Sequence, residues 1–273
     1  MCFFFLDDND AFHYGDKFFF IPLIINLSKY FEVKVIERDR EIVKLLKLYN
    51  IACVKSITAQ KDIVIISYLN CFLHFKKNLN YKFIGIDLKN VSERKNLYPM
   101  LFIKFKKIFK IPFNIKRDYF DKFISHNKKY FLRKKFNFIN KDFYLYSEDI
   151  KSQNFWTIFS KKKFKLRNLA KIISNKNTIL HVSIEKRQNV LLNNYLNITG
   201  KTTFGDIILL ISNKYCKGVI AFDNIHVHLA TIFKKKIYFA SRYFFNYKRK
   251  KINMLTVPFR KNKIYQKKIN EIL

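Results

Sequence analysis

The sequence predicts an α/β fold made of two doubly wound, parallel-sheet domains facing one cleft. Three observations carry this. Short apolar runs alternate with amphipathic segments, the pattern of βαβ units and a parallel sheet. The alternation fades between about residues 95 and 140 and then resumes. The arrays on either side of that break are of similar length.

In chain order, "MCFFFL" reads as a buried strand, and "DDNDAFHYGD" as a polar turn region. In "KFFFIPLIINLSKYF", Phe19, Leu23, Leu27 and Phe31 recur every four residues, as one face of a helix that Asp16 is placed to cap. "EVKVIE" is a strand, "REIVKLLKLYN" an amphipathic helix, and "DIVIIS" and "YKFIGID" are strands. Helical connections and a linker fill the break. "DFYLYS" then forms a strand ending near Ser147. "SKKKFKLRNLAKIIS" is a helix burying Phe164, Leu169, Ile172 and Ile173. "TILHVS" is a strand, and "EKRQNVLLNNY" a helix from Glu185. "NITGKT" is a turn, followed by the helix "TFGDIILLISN", capped by Thr202 or Thr203. "GVIAF" is a strand, "NIHVHLATIF" a helix, "KIYFA" a strand and "NKIYQKKINEIL" a short helix. The expected domains are 1–138 and 139–258, with a helix at 259–273 returning to the first.

With 49% hydrophobic residues the chain can bury a real core, which excludes disorder by composition. Its 54 Lys and Arg against 20 Asp and Glu give a net charge of +34, which suits a polyanionic partner. Lys, Asn, Ile, Phe and Tyr are also the residues of A/T-rich codons, a second source of the same charge. Cys2, Cys53, Cys71 and Cys216 form no CxxC pair, which argues against structural zinc and fits a reducing cytoplasm. No run reaches the roughly 20 apolar residues a bilayer span needs. "FFFIPLII" follows acids rather than a basic leader, so it does not read as a signal peptide.

In open parallel sheets, ligands bind beyond the carboxyl ends of the strands. Asp223 falls at such an end, just after "GVIAF" and before a helix whose free amides form an anion site. It reads either as a helix cap or as a ligand-binding acid. His226 and His228 lack an evident third ligand, so no metal site is expected.

The segment "NITGKTTFGDIILLISNKYCKGVIAFDNIHVHLATIF" resembles the C-terminal signature of family 9 glycosyltransferases, the lipopolysaccharide heptosyltransferase family. Its members read approximately "NLTGKTSL", a helix, a strand, then "DTGxxHLA". The matching positions are Asn197, Thr199, Gly200, Lys201, Thr202, Asp223, His228, Leu229 and Ala230. "GDKFFFIPLIINLSKYFEVKVI" is similar to the family's opening "GDxxxxxPxIxxLKxxFP" at Gly15, Asp16, Pro22 and Leu27. Ile225 stands where the family has the glycine of "DTG", and Phe164 where it has the tryptophan of "KxW".

The resemblance implies a GT-B fold of two Rossmann-like domains, acceptor on the first and nucleotide sugar on the second. It implies an inverting, metal-independent glycosyltransferase that needs no cofactor. The donor would be a nucleotide-diphosphate sugar, heptose among the candidates. The acceptor would be a lipid-linked glycan such as lipopolysaccharide core. Asp16 would be the catalytic base. Ser147, Lys162, Glu185, Asp223 and His228 would bind the donor, with Lys162 on the diphosphate and Glu185 on the ribose. The expected location is cytoplasmic, peripheral on the inner face of the inner membrane, with the basic surface meeting anionic lipid. Each role has a plainer counterpart: Asp16 and Glu185 as helix-start carboxylates, Lys162 as part of a solvated lysine run, His228 as packing. Trp156 reads as a local apolar anchor.

Two rivals stand beside the enzyme. "YFLRKKFNF" and "RYFFNYKRKK" interleave lysines and aromatics as a nucleic-acid-binding protein would, though without a recognisable motif for a specific nucleic acid. The replaced glycine also fits a GT-B protein whose catalysis has decayed.

Overall fold

The computed structural model describes residues 2–5, 14–56, 63–68, 81–86, 107, 109–110, 120–130, 136, 139–149, 166–183, 186, 190, 192–222, 224–240 and 254–256. The chain divides into two compact units, Met1–His126 and Asn127–Leu273.

The first unit holds β1 (Cys2–Phe5), α1 (Tyr14–Leu27), β2 (Val33–Ile36), α2 (Arg40–Lys47), β3 (Ala52–Val54), β4 (Ile63–Tyr68) and β5 (Tyr81–Ile86), and the division falls within α3 (Asp121–Tyr130). Its sheet runs β3-β2-β1-β4-β5, with every neighbouring pair parallel. The order reverses between β1 and β4, which makes that junction the switch point of a doubly wound sheet.

α1 departs from its predicted pattern. From Phe20 to Leu27 every residue is buried, so the helix is buried all round rather than on one stripe. Phe31 lies beyond its end and is 38% exposed, so it does not continue the face. Pro22 sits inside the helix and removes one backbone bond, a defect of about 3 kcal/mol. Burial of Phe20, Ile21, Leu23, Ile24, Ile25 and Leu27, at about 1.5–3 kcal/mol each, outweighs it. The helix starts at Tyr14, so Asp16 is in its first turn and not at the cap. The first turn of a helix is its positive end, where an acid is favoured. α2 is capped by Asp39, whose Oδ1 accepts from Glu41 N at 3.0 Å and Ile42 N at 3.1 Å.

The second unit holds β6 (Phe143–Ser147), α4 (166–174), β7 (Thr178–His181), β8 (Tyr195–Asn197), α5 (Phe204–Ser212), β9 (Cys216–Phe222), α6 (Ile225–Ile232), β10 (Lys236–Ala240) and β11 (Met254–Thr256). Its sheet runs β11-β10-β9-β6-β7-β8, again parallel throughout. The switch point lies between β6 and β9. Tyr144 and Tyr146 of β6, Ile220 and Phe222 of β9, and Ile179 and Tyr238 pack on Leu166, Leu169, Ala170 and Ile173 of α4. By strand alternation Leu145, Val219 and Ala221 face the other side, and α5 and α6 pack on β9 and on each other. The register slips between Phe143 and Tyr144, leaving Lys217 unmatched on β9. Gly218 is required beside that slip. A Cβ there would lie 2.8 Å from Lys236 O and 2.9 Å from the Tyr144 ring.

One predicted helix does not form among the described residues of its span: over 185–195, residues 186, 190 and 192–194 are irregular, and Tyr195 opens β8. Asn193 and Asn194 turn the chain there: Asn194 Nδ2 donates to Ser174 O at 2.9 Å, and Asn193 Nδ2 to Asn175 Oδ1 at 2.8 Å. These bonds reach back 18 and 20 residues to the end of α4, so tertiary contacts rather than helical periodicity set this segment. The predicted helix at 259–273, Glu185 itself, and Phe164 of the predicted α4 face lie outside the described residues.

Candidate functional site

The carboxyl edge of the second sheet is assembled from four loops. After β6 come Glu148 and Asp149; after β7, Val182 and Ser183; after β8, the "NITGKT" turn; and after β9, the start of α6. Ser147 is level with Ala221 in the β6–β9 register, so it ends β6 beside the last turn of chain before α6.

The loops are tied to one another by hydrogen bonds. Asn224 Nδ2 donates to Asp149 O at 3.1 Å, joining the two sides of the switch point. Ser183 Oγ donates to Asp149 Oδ1 at 2.7 Å. Gly200 N and Thr202 Oγ1 donate to Ser183 O at 2.8 and 3.2 Å. Asn197 Oδ1 accepts from Thr199 N at 3.0 Å and from Thr199 Oγ1 at 2.6 Å. Gly200 has φ +73°, a left-handed conformation natural to glycine, and a Cβ there would meet the Lys186 backbone at 3.1 Å. The matched turn residues therefore dock the loop after β8 onto the loop after β7. Thr203 caps α5 in a capping box with Asp206.

Two buried groups give the edge its electrostatics. Glu148 is gripped by Arg167, Nε to Oε1 at 2.5 Å and Nη2 to Oε2 at 2.8 Å, and also accepts from the Tyr146 hydroxyl. Burial alone pushes its carboxyl up, but the Arg167 and Tyr146 bonds and the Arg167 charge outweigh it and hold the group below the usual range. Arg167 is held above its ordinary value, chiefly by its bond to Glu148. His226 is fully buried, and burial lowers its pKa to about 3, so it is neutral. Asn224 Oδ1 accepts from His226 N and from its Nδ1, each at 3.0 Å. Asn224 Nδ2 is already committed to Asp149 O, so the imidazole proton sits on Nδ1. His226 Nε2 is then an acceptor, and among the described residues it has no partner.

Of the residues expected from sequence, Ser147 is fully buried, and its Oγ accepts from Asp149 N at 3.3 Å. His228 is the fourth residue of α6. Asp16 is the third residue of α1, in the first unit. The side chains of Asp16 and His228 lie outside the described residues, as do Lys162, Glu185, Asp223 and Trp156. Ser147 and the α6 segment carrying His228 thus meet at one switch point. Sequence reasoning missed Glu148, Asp149, Arg167, Ser183 and Asn224. The available signal was position: each lies within two residues of a strand end or helix start. Among the described residues no group of three His, Cys, Asp or Glu could hold a metal, and no helix is long and apolar enough to cross a membrane.

A chain of two doubly wound parallel sheets belongs to the open α/β class of folds. Within that class, its fold is similar to the crystal structure of a family 9 glycosyltransferase from Veillonella parvula. The TM-score is 0.55 and the identity 10%, covering 99% of this chain and 90% of that one. A glycosyltransferase from Rickettsia africae also matches, at TM-score 0.46 and 13% identity, over 99% and 88% of the two chains. So does E. coli ADP-heptose lps heptosyltransferase II, at TM-score 0.41 and 10% identity, over 99% and 97%. No family model and no curated protein matches the sequence. The Veillonella structure thus carries the fold, and it comes from the family that the two sequence islands resemble.

Proposed function

We propose that this chain is an inverting, metal-independent glycosyltransferase of GT-B architecture. It moves a sugar, heptose in the reading the family resemblance favours, from a nucleotide-diphosphate donor to a lipopolysaccharide-core or other lipid-linked glycan acceptor. The observation that supports this most is a coincidence of place. The "NITGKT" turn and the segment from Asn224 to Ala230, part of the stretch matched on sequence alone, both start at the carboxyl edge of one parallel sheet.

The chemistry follows from that edge. Departure of the nucleotide diphosphate leaves an oxocarbenium-like sugar. Lys162 and the amides at the start of α6 stabilise the leaving charge. Asp16 takes the acceptor's proton, a step worth ~10²–10⁴ in rate. Attack opposite the departing phosphate inverts the anomeric carbon. Asp223 and Glu185 bind sugar or ribose hydroxyls, Ser147 backs the phosphate loop, and His228 stands beside the donor. Work on a lipid-linked acceptor brings the protein to the cytoplasmic face of the inner membrane.

The test is Asp223→Asn, measured separately for folding and for nucleotide-sugar binding or turnover. The expected result is a small change in stability and at least a ~10-fold loss of binding or turnover, the scale of one charge-assisted hydrogen bond. Collapse of stability with normal binding by the remaining folded protein would make the acid a helix cap and overturn the reading.

A further inference from the structure

The first unit carries an exposed aromatic pair, with lysines next to it in sequence, in the turn between α1 and β2. Tyr30 and Phe31 are 49% and 38% exposed. The Phe31 ring packs on Phe109 with centroids 5.6 Å apart at 53°. Lys29 adjoins the pair on one segment, and Lys107 and Lys110 adjoin Phe109 on the other, all three exposed. The acid in this stretch, Glu32, is paired with Lys34 at 3.3 Å. Large apolar side chains in water are costly, and on a surface they mark a contact site when they cluster.

We propose that Tyr30, Phe31 and Phe109, with Lys29, Lys107 and Lys110, are the surface by which this protein docks on an anionic bilayer. The inference rests on the membrane part of the proposed function and not on its transfer chemistry. Tyr30 has an amphipathic ring suited to the headgroup boundary, while Phe31 and Phe109 supply the apolar wedge. The lysines meet the negative lipid charge, each worth about fivefold in partition, the ~1 kcal/mol expected of a basic residue at such a surface. Single-stranded nucleic acid is the less suited partner, because base stacking needs an open ring face and Phe31 packs against Phe109. The turn lies just before β2, at the amino edge of the first sheet. Docking there leaves that sheet's carboxyl edge turned away from the bilayer.

The test uses the full chain and sedimentation with phosphatidylethanolamine–phosphatidylglycerol vesicles, with pure phosphatidylcholine vesicles as comparison. The wild type should bind the anionic vesicles only. Tyr30→Ser with Phe31→Ser should lower partition about tenfold, the loss of two partly inserted rings. Lys107→Glu with Lys110→Glu should lower it at least about 25-fold. Lys171→Glu with Lys176→Glu, the same charge change on the second unit, should lower it less than fivefold. Circular dichroism and nucleotide-sugar binding are followed on each variant. Tyr30→Ser alone, expected to lose about threefold, serves if Phe31→Ser unfolds the protein. Aromatic variants that bind like the wild type, or equal losses from the two lysine pairs, would overturn the proposal. So would wild-type binding to poly(U) with a steep salt slope and no vesicle binding. Vesicle binding that persists while nucleotide-sugar binding fails would leave the surface standing and remove the glycosyltransferase reading.

Discussion

Glu37 and Glu148 each stand just past the end of a parallel strand in their own unit, β2 or β6. Each is buried, at 4% and 8% exposure. Their acidities move in opposite directions. Glu37 is raised: burial outweighs the bond from Lys17 Nζ to its Oε1 at 2.9 Å, the Lys17 charge, and the bonds from Arg38 N and Asp39 N to the same oxygen. Its Oε2 has no partner among the described residues. Glu148 is lowered, because both of its oxygens are engaged by Arg167 and a tyrosine hydroxyl is added. The lesson concerns the cation. A guanidinium fork satisfies both carboxylate oxygens, while an ammonium is a point charge that satisfies one.

The widest way to break the comparison is to remove each cation. Arg167→Met leaves the Glu148 charge buried and uncompensated. It should cost about 2–4 kcal/mol in urea unfolding, at or below the usual range for a broken buried pair because Arg167 is half exposed. Lys17→Met should cost only about 1–2 kcal/mol, since Glu37 can take a proton and its Oε1 keeps two backbone donors. Equal costs would mean that the fork confers nothing. The caps provide a matched pair between the units. Asp39→Ala and Thr203→Ala should each cost about 1 kcal/mol, with Thr203 the larger because Asp206 answers it in the capping box. A finer test is the pH dependence of Glu37→Gln and Glu148→Gln. A lowered carboxylate contributes stability above its unfolded pKa and loses it as pH falls through the folded value. The gap between wild type and Glu148→Gln should therefore shrink as pH falls below the ordinary 4.5. A raised carboxylate contributes most when protonated, so the gap for Glu37→Gln should grow as pH falls through and below its raised folded value. Parallel drifts in the two variants would remove the distinction.

Much of the fold was legible because apolar periodicity is a local signal. The strands at Phe143–Ser147, Thr178–His181 and Lys236–Ala240 stand where the pattern put them, and Thr203 was one of two caps expected for α5. Three short strands escaped. β3 and β11 have three residues each, too few to alternate, and β8 was hidden inside a helical reading. What fixes β8 is non-local: Tyr195 OH meets His181 Nδ1 at 2.6 Å, and Ile179 N reaches Asn194 O at 2.7 Å. In α1 the four-residue spacing was real, but burial on every side replaced the expected stripe. The candidate site was legible as a place rather than as a set of contacts. Two stretches of the C-terminal motif, the "NITGKT" turn and the start of α6, marked the sheet edge. Yet Asn224, which joins Asp149 to His226, sits at a substituted position of the motif, and Arg167 looked like one more cation in a basic helix. Sequence pattern reports which face a residue is on. It does not report which carboxylate, 19 residues away, an arginine will hold.

The bond from Asn224 to Asp149 spans 75 residues of sequence. Its consequence is one of timing. The crevice has one lip at the end of β6 and the other at the start of α6, with β7, β8 and α5 emerging between them. Closing so long a loop costs chain entropy before any contact repays it, so pairings of this range form slowly. During synthesis, at about 5–20 residues per second, β6 leaves the ribosome several seconds ahead of the strand it must lie beside. Through that interval the central strand of the second sheet lacks the neighbour that completes its ladder. The nascent chain can therefore complete this edge of the second sheet only after β9 and α6 have been made. Ligand added before that point would find nothing to stabilise, and ligand present afterwards could pull the last step of folding forward.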